Sequence, residues 1–281
     1  MVAAIAASGF IALGQGTAAA VAECAYRPPD RTAQMTKSAI DARYSADSQL
    51  RALLGAPAGD EVGEGIRYRD YQRGRMYWAS DTGARESHGA ILEKYLSKGG
   101  HEAYGAPVTD ECPSANSGRY NHFSGTSASG GTSIYWRADL GVKLVSGQVH
   151  WLWEHSDWER GTYGQPITDT LPTRDLNGEY NDFLGNDGAG ASIYWTRFTG
   201  VHGVKGAIRD RWLAMDAEKS FLGYPTSDEL DTTSGKRSNF QGGYVTWNRA
   251  TGEVVARLWY RTRSTPAGVR TVDRCAARSR I

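Results

Sequence analysis

Across 281 residues, 32 Lys and Arg stand against 31 Asp and Glu, and a net charge of +1 gives no field to attract nucleic acid or an acidic membrane. Nine Trp, fifteen Tyr and 34 Gly describe a loop-rich chain whose core is built largely from aromatics. Such compositions favour extracellular, sugar-touching proteins, because flat apolar sugar faces stack on rings.

Residues 1–22 carry no charge and end in small residues, the pattern of a secretory signal peptide cleaved after Ala20 or Ala22. Gly14-Gln15-Gly16 and the many alanines make the stretch a poor membrane anchor, so no membrane insertion is expected after cleavage. Residues 23–37 are a lead into the repeats. Export permits disulfides. Cys24 and Cys275 flank everything that follows and are expected to pair, closing a loop worth about 4–5 kcal/mol in the chain-entropy model. Cys112 is then a free thiol, with a bridge to either terminal cysteine as the alternative.

Residues 38–260 repeat one pattern in four units, about 38–88, 89–146, 147–205 and 206–260. Each opens on an apolar pair four residues apart, the spacing of a short amphipathic helix: Ile40 and Tyr44, Ile91 and Tyr95, Val149 and Trp153, Ile208 and Trp212. A Gly-x-Pro turn follows, as in Leu54-Gly55-Ala56-Pro57 and Leu222-Gly223-Tyr224-Pro225. Then comes an Asp (Asp60, Asp110, Asp169, Asp228), suited to capping a turn, and a β-hairpin whose second strand ends in Trp78, Trp136, Trp195 or Trp247. The hairpin loops of units two and three are longer and rich in Gly and Ser. The fold class is α+β: four units of short helix, Gly-x-Pro turn and β-hairpin.

Strand residues alternate in direction. Met76, Ile134 and Ile193 therefore share a core face with the Trp, while Tyr77, Tyr135 and Tyr194 take the other. That second face is a candidate sugar-binding surface; the alternative is packing against the next unit. Arg85, Lys143 and His202 sit at one repeated position just past these strands and would supply hydrogen-bond donors. An exposed Trp158 would add a stacking ring. Unit four has Arg237 and Thr246 where the others have Tyr and resembles a cap. No nucleophile elbow or metal-binding histidine spacing is found, so no metal, cofactor or catalytic residue is assigned. The tail, residues 261–281, is basic.

The Leu-Gly-x-Pro turn, the Ile-Tyr-Trp strand and Thr199-Gly200-Val201-His202-Gly203-Val204-Lys205-Gly206-Ala207-Ile208 together resemble LGFP-repeat proteins over roughly residues 38–260. The resemblance implies a secreted protein of mycolic-acid-bearing actinobacteria, held non-covalently to cell-wall polysaccharide, with arabinogalactan as the expected partner. It also implies repeats closed around a pseudo-rotation axis. No attached catalytic domain is expected, and the family's Gly-Ala-His step survives only as Gly-Val-His at His202. The expectation is a monomeric, non-enzymatic wall binder. The rivals are an envelope hydrolase or transferase using Asp157, Glu159, His150 and His155, and a protein-interaction scaffold.

Overall fold

The structure, a computed structural model, describes Cys24 and residues 38–259. The leader, Cys275 and the basic tail lie outside the described residues. The four expected helices are Ala39–Ala46, Gly89–Ser97, Gly147–Glu154 and Gly206–Ala214, each opening its unit. Ile40, Ile91, Val149 and Ile208 are all buried, as the spacing predicts.

Each lead helix is followed by an antiparallel sheet. Unit one holds β1 (Arg67–Tyr71), β2 (Gly74–Ala79) and β3 (Gly83–His88). Unit two holds β4 (Cys112–Pro113), β5 (Arg119–Thr126), β6 (Gly130–Arg137) and β7 (Gly141–Ser146). Unit three repeats this with β8 (Leu171–Pro172), β9 (Gly178–Phe183), β10 (Ala191–Thr196) and β11 (Gly200–Lys205). Unit four has β12 (Leu230–Thr232), β13 (Gly235–Asn239), β14 (Gly243–Asn248) and β15 (Val254–Leu258). The expected hairpin thus gains a further strand after the Trp. The Gly five residues past each Trp makes this possible: Gly83, Gly141, Gly200 and Gly252 all have positive φ and turn the chain back.

One hydrogen bond joins the two motifs most visible in the sequence. The aromatic of each lead helix donates to the carbonyl of the Gly in its own Gly-x-Pro turn: Tyr44 Oη to Gly55 (2.6 Å), Tyr95 to Gly105, Trp153 Nε1 to Gly164 and Trp212 Nε1 to Gly223 (both 3.1 Å). Each Gly has φ between 67° and 74°, and a Cβ on Gly105 would collide with the Gly125 carbonyl oxygen. Two residues on, the Pro bridges the aromatic ending the first hairpin strand: Pro57 with Tyr71, Pro107 with Phe123, Pro166 with Phe183 and Pro225 with Phe240.

The units stack as alternating layers of sheet and helix. Each lead helix after the first lies between two sheets. Ile91 and Tyr95 pack with Tyr77 behind and Ile134 ahead; Val149 and Trp153 pack with Tyr135 behind and Ile193 ahead. Ile208 and Trp212 pack with Tyr194 and Val245 in the same way. Both faces of an inner sheet are therefore core. Tyr77, Tyr135 and Tyr194 are buried, at 0, 3 and 5 % exposure, which corrects their reading as a ligand face. The Trp of each β-strand is only partly buried, at the rim of the layer. Unit four ends the described stack as expected of a cap: Arg237 lies 4.0 Å over the Tyr244 ring on a partly exposed face.

The repeated Asp stitches one unit to the next. Asp110 Oδ1 accepts from the Glu86 amide (3.0 Å), Asp169 from Leu144 (3.0 Å) and Asp228 from Gly203 (2.8 Å). Those amides lie on the edge strand of the preceding sheet and would otherwise be orphaned. Asn121 and Asn181 donate back to the Glu86 and Leu144 carbonyls. The inter-unit core clusters and these stitches join consecutive units, so the described contacts form a linear stack and close no ring.

The disulfide expectation is also corrected. Cys24 pairs with Cys112, Cα to Cα 5.8 Å, and not with Cys275. Cys112 is fully buried at the start of the unit-two sheet, so it is a bridge partner and no free thiol. The closed loop spans 88 residues, worth about 4.5 kcal/mol by chain entropy, and fastens the N-terminal lead to unit two.

Candidate binding site

With Tyr77 and Tyr194 consumed by packing, the open space lies at a seam, where the buried Tyr135 still lines one wall. Between units two and three is a cavity of about 790 Å³, a volume ordinary for a small-ligand site. Its walls come from β5 and β6, the lead helix of unit three and the 3-10 turn Trp158–Arg160 beyond it, with Val108 and Thr109 of unit two and Asp81 and Thr82 of unit one completing them. Tyr120, His122, His150, Trp158 and Glu159 supply its aromatic and polar surface, and Cys24 brings the disulfide to its edge.

The polar centre of the wall is a chain of three side chains. His122 Nδ1 lies 2.6 Å from Ser133 Oγ, which lies 2.8 Å from His150 Nε2. His150 Nδ1 in turn faces Glu154 Oε2 at 3.7 Å. His122 and Ser133 are cross-strand partners, and His150 descends on them from the lead helix. Burial, reinforced by His150, pushes the His122 pKa down to about 3; burial and then His155 push His150 down to about 4. Both rings are neutral at pH 7. Glu159 accepts from Tyr135 Oη (3.0 Å) and from the Ala115 amide (3.0 Å), which ties the 3-10 turn to unit two. Burial first, then this carboxylate, raises the Tyr135 pKa well above its ordinary value.

Trp158 is partly buried in this wall, 5.1 Å ring to ring from His122, and is not the exposed stacking residue expected. Two features set it apart. Its indole N–H is buried with no hydrogen-bond partner among the described residues. Its backbone is left-handed, with φ 44°, where bulky residues are strained.

Arg85, Lys143 and His202 are the cross-strand partners of Tyr77, Tyr135 and Tyr194, an arrangement common to three sheets. It does not form a repeated open site. His202 binds internally, Nε2 to the Thr199 carbonyl at 2.9 Å and Nδ1 3.7 Å from Asp228. Arg85 donates to the Thr82 carbonyl at 3.2 Å. Of the residues entertained for catalysis, Asp157, Glu159 and His150 do meet in the cavity, while His155 stacks on Trp151 instead. Sequence reasoning missed His122, Ser133 and Tyr120. Aligning units on their Trp would have flagged His150, which falls where unit four has Arg209 and unit two has Leu92.

Stacked units of small helix and antiparallel sheet, joined edge to helix, define an α+β repeat protein. The chain belongs to the LGFP-repeat family: the LGFP repeat matches residues 54–102, 105–161, 164–220 and 222–260. No curated protein matches it.

Proposed function

We propose that this is a secreted, non-catalytic protein that attaches to cell-wall polysaccharide, arabinogalactan being the expected polymer, through the cavity between units two and three. The observation that carries the reading is that cavity: aromatic walls, two neutral imidazoles, an excess of carboxylates and room for one or two sugar rings. Membership of the LGFP-repeat family and the uncharged leader-like residues 1–22 support it. No helix among the described residues is long and apolar enough to cross a membrane.

A hydrolase is less well supported by the same residues. Ser133 touches His150 as a nucleophile would touch its base, but it is fully buried between two imidazoles, where no substrate carbonyl reaches it. Glu159 is already committed to Tyr135 and Ala115.

Incubating the purified secreted chain with delipidated cell walls, arabinogalactan and peptidoglycan tests the reading. Retention on walls and arabinogalactan, without release of soluble sugar, is the expected result. Failure to bind any wall fraction would overturn it.

A further inference from the structure

The cavity wall carries a directional pattern of hydrogen bonding that selects a ligand class. Ser133 has one hydroxyl proton and lies between two neutral imidazoles, so it donates to one ring and accepts from the other. Two arrangements satisfy this, and Glu154 decides between them. If Ser133 donates to His150 Nε2, the remaining proton of His150 sits on Nδ1 and faces the Glu154 carboxylate, an attraction. The reverse arrangement turns the Nδ1 lone pair towards that carboxylate, a repulsion. The first therefore holds: His122 Nδ1–H donates to Ser133, Ser133 donates to His150, and His150 Nδ1–H points to Glu154.

This order leaves His122 Nε2 as a bare acceptor. It has no hydrogen-bond partner among the described residues, and His122 is partly exposed where it lines the cavity. Beside it stands Trp158, whose N–H is a bare donor. A buried polar group without a partner costs roughly 1–3 kcal/mol, a cost that falls on the Trp158 N–H, so a ligand oxygen that reaches it repays that cost while a hydroxyl proton meets the open His122 Nε2.

The other seams lack this pair. The residue equivalent to Trp158 is Gly100 at the first seam and Ala217 at the third, all three left-handed with φ 58°, 44° and 48°. A backbone that Gly occupies cheaply is filled by Ala at the third seam and by the largest side chain at the second. At the third seam the equivalents of His122, Ser133 and His150 are Asp182, Ser192 and Arg209. There Arg209 Nε donates to Ser192 Oγ (2.5 Å) and Nη2 to Asp182 Oδ1 (3.0 Å), and Ser192 donates to Asp182. That set leaves nothing for a ligand.

We infer that the seam between units two and three is a single binding site for an uncharged hydroxylated ring, a neutral sugar, whose hydroxyls donate to His122 Nε2 and accept from Trp158 Nε1. A carboxylate or phosphate has no proton for His122, and an ammonium has no lone pair for Trp158. Asp81, Glu154, Asp157 and Glu159 around the cavity, against Arg160 alone, further disfavour anions. The inference rests on the wall-polysaccharide reading for the source of the sugar, but not for its chemistry.

The test uses the full secreted chain with methyl arabinoside, methyl galactoside and soluble arabinogalactan fragments, against acetate, inorganic phosphate and methylammonium, which carry no hydroxylated ring. Binding is followed by tryptophan fluorescence and by the indole N–H resonance of Trp158. Neutral glycosides are expected to shift that resonance and the three small ions to leave it unmoved. Trp158→Phe keeps a ring without the donor. His122→Asn, the residue unit four has in Asn239, keeps the Ser133 bond without the far acceptor. Each should weaken binding about tenfold, the loss of one hydrogen bond, with an unchanged denaturation midpoint confirming the fold. Equal binding of the small ions, or wild-type affinity in both variants, overturns the proposal. If both variants keep full wall retention, the single site falls and the wall reading stands. If wild type ignores walls yet binds neutral glycosides through Trp158, the wall reading falls and the site stands.

Discussion

The second and third seams are built to one plan and filled differently. In both, a Trp of the lead helix meets the Tyr of the preceding sheet edge to face, Trp153 on Tyr135 at 4.9 Å and Trp212 on Tyr194 at 4.8 Å. In both, a Glu in the following 3-10 turn accepts from a backbone amide of the preceding unit: Glu159 from Ala115, Glu218 from Arg174. Beyond that frame they part. The third seam fills its polar slot with the ion pair Asp182–Arg209, the second with two neutral imidazoles and a strained Trp. A repeated frame is evidence of structure. The one seam where the frame opens is evidence of use.

If the frame is shared, breaking it should cost the same on both sides. Trp153→Ala and Trp212→Ala each remove a fully buried ring and its hydrogen bond to a Gly carbonyl, and each should cost about 4 kcal/mol in urea denaturation. A difference of more than about 2 kcal/mol between them would show that the seams are not equivalent.

Acid separates the two fillings. Unfolded, His122 and His150 protonate near pH 6.5; folded, they resist until about pH 3 and 4. As pH falls through 6.5 the unfolded chain takes up these protons first, so stability drops with a slope of up to about 1.4 kcal/mol per pH unit for each ring. The loss from this source ends once pH passes below 4 and then 3. Transplanting the third-seam pair as His122→Asp with His150→Arg should flatten the stability curve between pH 6 and 5. A slope that persists in the double variant would place the acid sensitivity elsewhere.

Removing one partner should also distinguish the seams. Asp182→Ala leaves the largely buried Arg209 guanidinium with only Ser192 and the more exposed Asp210 at 3.5 Å, and should cost about 2 kcal/mol. His122→Ala removes a neutral hydrogen bond and part of a ring contact, and should cost about 1 kcal/mol. Equal losses would mean that the imidazoles are as structural as the ion pair.

The frame was legible in the sequence because each of its parts recurs. The spacing of four in the lead helices, the Gly-x-Pro turn and the Asp after it needed no partner to be recognised. Their partners were hidden, since Asp169 binds Leu144 and Trp153 meets Tyr135 across unit boundaries. Strand alternation placed Tyr135 opposite Ile134 correctly, but alternation reveals two faces and not how many are covered. The final strand escaped notice because Gly141 to Ser146 and its equivalents lack a strong alternating pattern. The cavity was least legible of all. His122, Ser133 and His150 come from three elements, and Ser133 follows a Gly- and Ser-rich loop in which one more serine carries no signal.

Trp158 gives the smallest expected effect on stability and the sharpest use of the comparison. Its ring is only partly buried and makes no hydrogen bond among the described residues, and its backbone is left-handed, which costs an L-residue roughly 1–2 kcal/mol. Trp158→Gly restores the residue found at this position in the first seam, Gly100, and releases that strain. The released strain offsets the partial burial that is lost, so stability should move by less than about 1 kcal/mol in either direction. The same denaturation series that finds about 4 kcal/mol for Trp153 should therefore find almost nothing five residues later. A loss above about 3 kcal/mol would make Trp158 a packing residue like Trp153, its strain a side effect of the core. A near-zero loss assigns the left-handed backbone to the frame, since Gly100 and Ala217 share it, and leaves as peculiar to this seam an indole with an unpaired N–H that folding does not need.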